Sequence, residues 1–133
     1  MAEFRLFLPD DVGGIIGSVD EKGVVTFVIS AKPESPIRGT ELFDLMLRAF
    51  GDRVRAVLGV WRRGFEGSPS VNLDKVNERT AAGTPLMNAV CETWTFARSA
   101  RWGFSKITLV LVEGTPGSYS KIDVLLEKTE APQ

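Results

Sequence analysis

The sequence contains no histidine among its 133 residues. This absence excludes serine and cysteine hydrolases that depend on an imidazole base, zinc sites with histidine ligands, and the histidine acid–base pair of many ribonucleases. The single cysteine, Cys91, excludes an internal disulfide and metal sites built from several thiolates. Its place in a predicted helix indicates a small side chain in the core or at its border. We therefore predict neither a metal nor a cofactor.

Long apolar runs are also missing. None approaches the roughly 18 residues that a membrane-spanning helix needs, and the start MAEFRLFLPDD lacks the features of a signal peptide. Neither sign of charge dominates, because 16 basic residues stand against 17 acidic ones. The net charge therefore gives no overall electrostatic attraction to nucleic acid or to a membrane, and a local basic face is the remaining alternative. We expect a cytoplasmic chain without membrane contact, or a piece of something longer.

Length and pattern predict a single α+β domain over residues 1–133, with a frayed tail from about residue 129. Strands and helices occur in mixed order, and neighbouring strands are joined as hairpins, so we predict a largely antiparallel sheet with helices packed on one face. The predicted elements are an edge strand Phe4–Leu8 ended by Pro9, a hairpin of 15–19 and 24–30, a helix 40–50 capped by Thr40 and closed by Gly51, a strand 53–63, a mobile loop 65–70, a helix from Asn72 that Gly83 stops, and a final strand 120–128. The positions predicted to be buried are Leu42, Phe43, Met46, Phe50, Val54, Ala56, Leu58, Val60, Leu73, Val76, Ile122, Val124 and Leu126.

Residues 84–113 form the unit around which the predicted fold is organised. Thr84 and Pro85 open one long amphipathic helix that Gly103 ends. Helical spacing predicts an apolar stripe of Leu86, Met87, Val90, Trp94, Ala97 and Arg101, and a solvent-facing side of Asn88, Glu92, Thr95 and Ser99. The following segment ITLVLV is apolar on both faces, which predicts a central, buried strand.

Thr93, Trp94 and Thr95, with Arg98 one turn further on, form an unusual cluster in this predicted helix. Threonine is a poor helix former, so its presence in the middle of a helix suggests that the hydroxyls are needed, and Arg98 adds a cation. The alternative is that both hydroxyls bond back to helix carbonyls.

Trp61, Arg62 and Arg63 form the one tight basic and aromatic step of the sequence. Arginine beside an exposed tryptophan suits phosphate contact combined with base stacking. The alternative is an edge strand that charge protects from pairing.

The short helix at 72–83 carries two amides, Asn72 and Asn77, and two carboxylates, Asp74 and Glu78, one turn apart. Paired carboxylates can share acid–base chemistry or bind a cation, and the amides can bind substrate. The alternative is a helix cap with acidic residues that favour the helix dipole.

The loop 114–121 (GTPGSYSK) brings hydroxyls, the Tyr119 phenol and the Lys121 amine to the start of a strand. It lacks the GxxxxGK[ST] order of a phosphate loop and leads into a strand. Tyr119 and Lys121 suit proton donation and charge stabilisation in phosphodiester cleavage without histidine. The alternative is a plain hairpin connection.

Four tracts together, RGTELFDLMLRAFGD, SVNLDKVNE, ETWTFARSARWGF and GTPGSYSKIDVLLEK, resemble C-terminal domains of bacterial polymorphic toxins over about Gly39 to Lys128. The residues that carry the resemblance are Trp61, Asn72, Asp74, Asn77, Thr93, Trp94, Thr95, Tyr119 and Ser120. Two features depart from the pattern. Phe96 stands where related tracts carry glycine, and the sequence begins at Met1, whereas we expect a toxin domain to follow a long carrier.

Two functions follow as hypotheses. The first, drawn from the resemblance, is a toxin-like ribonuclease acting on cellular RNA, with an immunity-type protein as partner. Arg98, Tyr119 and Lys121 would stabilise or protonate phosphate oxygens, and Asp74 or Glu78 would be the base. Thr95 is a further predicted catalytic residue. The predicted substrate-binding residues are Trp61, Arg62, Arg63, Asn72, Asn77 and Thr93. The second is a non-enzymatic module that binds another protein or a second copy of itself, suggested by abundant apolar strands and near-zero net charge. Nucleotide or ADP-ribose chemistry ranks lower, because its glycine and acidic signatures are absent.

Overall fold

A computed structural model, which describes residues 1–62 and 71–129, shows an α+β protein with a largely antiparallel sheet, as the sequence predicts. The chain divides into two compact units, Met1–Ala56 and Val57–Gln133, which are described in turn. That they form one domain stays a prediction, and the mobile loop at 65–70 and the tail beyond 129 lie outside the described residues. Within the described ranges, no helix combines the length and apolar character that crossing a bilayer requires.

Unit 1 is a three-stranded antiparallel sheet with one α-helix and two short 3-10 helices, Pro9–Asp11 and Gly51–Arg53. Its elements are β1 (Ala2–Phe7), β2 (Gly13–Val19), β3 (Val24–Ala31) and α1 (Gly39–Phe50), and its strands lie in the order β1-β2-β3. The turn between β2 and β3 is held by Asp20, whose Oδ1 accepts from the backbone N–H groups of Lys22 (2.8 Å) and Val24 (2.9 Å). The predicted edge strand and hairpin are confirmed.

The core of unit 1 lies between α1 and one face of this sheet. Phe43 packs edge-on against Phe27, with ring centroids 5.2 Å apart, and Phe50 packs against Phe4 at 6.4 Å. The predicted stripe of Leu42, Phe43, Met46 and Phe50 is buried, and Leu47 joins it. Burying each such side chain contributes about 1.5–3 kcal/mol. The predicted cap was wrong: α1 begins at Gly39 after Arg38, and no side chain caps it.

Unit 2 contains three strands and three helices in its described part. Its elements are β4 (Ala56–Arg62, whose first residue belongs to unit 1), α2 (Val71–Ala81), α3 (Leu86–Val90), α4 (Trp94–Arg101), β5 (Phe104–Glu113) and β6 (Lys121–Lys128). The strand order is β4-β6-β5, and β5 pairs antiparallel with β6. Ile122, Val124 and Leu126 of β6 are fully buried, as are Leu73 and Val76 of α2, which confirms those predictions.

The predicted central position of the ITLVLV strand was wrong. In the order β4-β6-β5 it is β6 that lies inside and β5 that lies at the end. Leu109 of β5 faces the buried Val124, whereas Val110 is 58% exposed. An apolar residue on each face indicates burial on both sides only when both faces are covered. Here the described helices bury one face, so the other apolar positions of β5 meet solvent.

The predicted long helix is two helices. α3 ends at Val90, and α4 begins after Thr93, whose hydroxyl accepts from the Phe96 N–H at 3.2 Å as an N-cap. Pro85, predicted as the first helical residue, instead precedes α3 as its N-cap position. A capping threonine breaks the helix because its extended backbone cannot continue the preceding turn. The predicted stop at Gly103 is confirmed by its positive φ of 91° after Trp102.

This break resets the helical phase, so the predicted stripe and solvent side were wrong downstream of it. Upstream of the break the stripe was wrong at Met87, which is 43% exposed. Thr95 and Ser99, predicted to face solvent, are buried, while Ala97 and Arg101, predicted to be apolar-side, are exposed. Cys91, predicted at the core or its border, is exposed in the turn between α3 and α4.

The predicted buried side of β4 was also wrong in part. Val57, Gly59 and Trp61 are buried, whereas Val60 is 43% exposed. A Cβ on Gly59 would lie 2.9 Å from Nε1 of Trp61, so the indole packs directly over the bare glycine backbone. The Trp61 indole is therefore 6% exposed and offers no free face for stacking.

Candidate functional site

Buried polar side chains in unit 2 gather where α2 meets α4 and the loop 114–120. The buried polar residues of the described chain are Asn77, Thr80, Thr93, Thr95 and Ser99. Buried polar groups need hydrogen-bond partners, because an unpaired one costs about 1–3 kcal/mol. Within the described ranges Ser99 Oγ has no hydrogen-bond partner. The bonds of the other four residues show which segments the cluster joins.

Asn72, at the start of α2, is joined to Thr95 by two hydrogen bonds. Its Nδ2 donates to Thr95 Oγ1 at 2.8 Å, and its Oδ1 accepts from the Thr95 backbone N–H at 3.2 Å. Thr93 caps the same helix end and donates its hydroxyl to Val90 O at 2.7 Å. Two of the free N–H groups at the start of α4 are thus satisfied, and the kink between α3 and α4 is fixed.

Asn77 holds the loop before β6 in the same way. Its Oδ1 accepts from the Tyr119 N–H at 2.7 Å, and its Nδ2 donates to Tyr119 O at 3.0 Å, so the amide pairs with the backbone as a neighbouring strand would. One turn further along α2, Thr80 accepts from the Gly117 N–H at 2.9 Å and donates to Val76 O. We call Asn72, Asn77 and Thr80 the α2 polar row.

The α2 polar row brings together three tracts that the sequence singled out: the short helix, the TWT tract and the GxY loop. The side chains of Asn72, Asn77, Thr93 and Thr95 are all bonded to protein groups, and the two threonines are at most 2% exposed. The observed arrangement positions α4 and the loop. Roles for these residues in substrate binding or catalysis stay predictions.

Other predicted catalytic residues lie around this cluster with different exposure. Tyr119 is buried, and Asn77 bonds to its backbone. Lys121 begins β6 opposite Glu113. Arg98 is half-buried on α4, and its Nε has no hydrogen-bond partner in the described ranges. Asp74 and Glu78 are exposed on α2.

Among the predicted substrate-binding cations, Arg62 lies 3.7 Å from the Asp123 carboxylate, which partly neutralises it. Arg63 lies outside the described residues. Ser120, part of the resemblance, is exposed, and its N–H donates to Glu113 O at 2.9 Å.

Two open depressions occur on the described chain, and the first is lined in part by candidate residues. One of about 300 Å³ is lined by residues 117–120, and one of about 520 Å³ lies in unit 1 before α1, where Lys32, Arg38 and Glu41 mix both signs of charge. In the part of the chain that the structure describes, no group of three or more cysteine, aspartate or glutamate residues could hold a metal ion.

Sequence reasoning missed Thr80 and one whole surface. Thr80 follows Asn77 at helical spacing, and that spacing is the signal that would have included it. The missed surface is the outer face of unit 1, the sheet side opposite α1. Side chains alternate along a strand, so this face carries Glu3, Arg5, Phe7, Gly14, Ile16, Ser18, Thr26, Val28 and Ser30.

An apolar row crosses this outer face. Ile16 stands directly opposite Val28, and Phe7 stands opposite Gly14, beside Ile16. A Cβ on Gly14 would lie 3.0 Å from Cδ1 of Phe7, so the ring leans over bare backbone. Phe7, Ile16 and Val28 are 64%, 39% and 62% exposed. Ile16 and Val28 are thus an exposed cross-strand pair, and Phe7 is a diagonal neighbour of Ile16, whose direct partner on β1 is Arg5.

The outer side of β1 carries unpaired backbone groups among the described strands. Leu8 N–H donates to Gly13 O at 2.9 Å, and on the other side of β2, Lys32 N–H donates to Val12 O at 2.7 Å. Bonding alternates along antiparallel strands, so even-numbered β1 residues bond to β2. The N–H and C=O groups of Glu3, Arg5 and Phe7 then point outward; we call this row the β1 edge.

In comparisons with protein-family models, curated proteins and solved structures, the sequence matches none.

Proposed function

We propose that this chain is a non-enzymatic protein-interaction module of the cytoplasm that takes up a partner strand at the β1 edge. The observation that carries the proposal is the β1 edge itself, lying beside the apolar row of the outer face. An unpaired strand edge supplies backbone hydrogen bonds to an added strand. Phe7, the member of the apolar row that lies on β1, adds an exposed apolar side chain at this edge.

The contrast with β5 supports this choice of edge. The β5–β6 register shifts between Phe104 and Lys106 and again between Leu109 and Leu111, and Lys106 is exposed. Bulges and lysines are devices by which proteins keep sheet edges from pairing. The β1–β2 register, by comparison, runs without a shift from Ala2 to Phe7. β1 is therefore the edge that is regular enough to accept a strand.

The state of the predicted catalytic residues also supports a binding function. Thr95 is buried and bonded to Asn72, and Tyr119 is buried in a loop that Asn77 holds. A general acid or base must reach its substrate within hydrogen-bond distance. These two side chains would have to be uncovered before they could do so.

Expression of the chain in bacterial cells tests the proposal. We expect unchanged growth and intact total RNA, with the purified chain shown to be folded by circular dichroism. Specific RNA cleavage that disappears in Arg98→Ala, but persists in the matched control Arg101→Ala on the exposed side of the same helix, would overturn the binding function.

A toxin-like ribonuclease is the second candidate, favoured by one observation. The α2 polar row joins the tracts that carry the resemblance to polymorphic-toxin domains. In this proposal Arg98, Tyr119 and Lys121 stabilise or protonate phosphate oxygens of cellular RNA, and Asp74 or Glu78 is the base. An immunity-type protein would be its partner. The same expression experiment decides for it if RNA is cleaved and either Asp74→Asn or Glu78→Gln abolishes the cleavage.

A further inference from the structure

We infer that the strand taken up at the β1 edge is β1 of a second copy of this chain, paired antiparallel with Phe4 facing Phe4. This inference rests on the proposed binding function and names its partner. It follows from three properties of β1: the direction of its free backbone groups, the order of its charges, and the partial exposure of Phe4.

Twofold symmetry restricts how β1 can pair with itself. Two antiparallel edge strands related by a twofold axis perpendicular to the sheet keep the same face up in both copies. Residues that oppose each other must then lie on the same face. Because side chains alternate between faces along a strand, the twofold axis must pass beside a residue and not between two residues. In the register centred on Phe4, Glu3 opposes Arg5 of the second copy, and Ala2 opposes Leu6.

The free backbone groups fit this register. The N–H and C=O groups of Glu3 and Arg5 point outward at the β1 edge. Glu3 of one copy and Arg5 of the other would therefore exchange both backbone bonds, and symmetry repeats the exchange. Phe4 falls at a position without backbone bonds, where opposing Cα atoms are closest, at about 4.5 Å.

The charges of β1 favour this register over those centred on residue 3 or residue 5. Glu3 and Arg5 are ion-paired along the strand within one chain, and their side chains are 50% and 60% exposed. Centred on Phe4, the dimer places each carboxylate opposite a guanidinium. Centred on residue 3 or residue 5, it would place Glu3 opposite Glu3 or Arg5 opposite Arg5, and like charges directly opposite are destabilising.

The aromatic side chain at the centre gains cover. Phe4 is half-buried and meets Phe50 edge-on within unit 1. In the dimer the remaining exposed part of the ring meets Phe4 of the second copy, and opposed aromatic residues are a favourable cross-strand pair. A six-residue strand buries less than a standard interface, so we expect a dissociation constant of roughly micromolar order.

Sedimentation of charge variants tests the inference. We expect the wild-type chain to dimerise, and Glu3→Arg and Arg5→Glu each to lose at least roughly tenfold in self-association, because each places like charges across the axis. An equimolar mixture of the two variants should recover association as a one-to-one heterodimer. Matched controls are Glu21→Arg and Lys22→Glu, exposed in the turn between β2 and β3, which should dimerise as wild type.

A second variant checks the backbone contribution. In Arg5→Pro the lost N–H points outward, so the β1–β2 bonds remain while dimerisation should disappear. Wild-type chain that stays monomeric at millimolar concentration, or charge variants that dimerise as well as wild type, would overturn the inference. With RNA intact, that result leaves a binding module with a different partner, whereas RNA cleavage would overturn the proposed function whatever the oligomeric state.

Discussion

At the scale of single residues, two side-chain amides of this protein make the paired hydrogen bonds that a neighbouring strand would make. Asn72 and Asn77 each offer one donor and one acceptor to a single residue far along the chain, Thr95 and Tyr119 respectively. An asparagine side chain has the same donor and acceptor pair as a peptide group. This explains two polar residues on a helix that is otherwise anchored by Leu73 and Val76.

Replacing Asn77 by alanine should lower the free energy of unfolding by about 2–4 kcal/mol. The change removes both bonds to Tyr119 and leaves its backbone N–H and C=O without their partner in a buried site. Urea unfolding measures the effect, and Asn88→Ala, at an exposed position on α3, is the control that should stay within about 0.5 kcal/mol of wild type. Equal losses for both variants would show that Asn77 does not hold the loop.

Replacing Thr93 by alanine should cost about 1–2 kcal/mol, because the α4 cap is lost. Thr93→Ser keeps the hydroxyl and should recover most of that stability. Thermal unfolding of the two variants side by side is the measurement. If serine and alanine were equally destabilising, the missing methyl group rather than the hydrogen bond would explain the loss.

At the scale of elements, the sequence could predict where helices and strands occur. It could not predict which strands lie next to each other in the sheet or where a helix is interrupted. The alternation of Ile122, Val124 and Leu126 shows one buried face, and β6 has it. The run ITLVLV carries no such alternation, so its pattern fits a central strand and an apolar edge strand equally well. Thr93 illustrates the same limit: a threonine inside a helical pattern can bond back to the helix or cap a new one, and only its partner, the Phe96 N–H, decides.

The edge position of β5 makes a prediction about Val110. Because this side chain is 58% exposed at a shift in the β5–β6 register, Val110→Lys should change the free energy of unfolding by less than about 0.5 kcal/mol. Val124→Lys in β6 should abolish cooperative unfolding, since it buries an unpaired charge. Circular dichroism during thermal unfolding distinguishes the two variants. Strong destabilisation by Val110→Lys would instead indicate that β5 is a buried, central strand.

At the scale of the whole molecule, the sequence could predict which residues belong to the candidate site. Asn72, Asn77, Thr93 and Thr95 were singled out. The structure bonds Asn72 to Thr95 and Asn77 to the backbone of Tyr119. Thr93 caps α4 through the Phe96 N–H. Their burial could not be predicted, because it depends on the helix phase after the break at Thr93. The outer face of unit 1 was not predicted either, since Phe7, Ile16 and Val28 become neighbours only through the strand register.

Self-association through β1 should make thermal stability depend on concentration. Dimerisation stabilises the folded chain by mass action, so a tenfold rise in protein concentration around the dissociation constant should raise the Tm of the wild-type chain by roughly 2–4 °C. Calorimetry over a dilution series measures this, and Glu3→Arg should show a constant Tm. A wild-type Tm that is flat across the series would argue against the dimer.

The bonds of Asn77 also impose an order on biosynthesis, because they join residues 42 positions apart. Ribosomes add roughly 5–20 residues per second, so roughly 2–8 s pass between the making of the asparagine and of its tyrosine partner. An isolated helix of 11 residues is marginal in water. During translation the Asn77 amide therefore stays hydrated until Tyr119 has been made, because its hydrogen-bond partner does not exist before then.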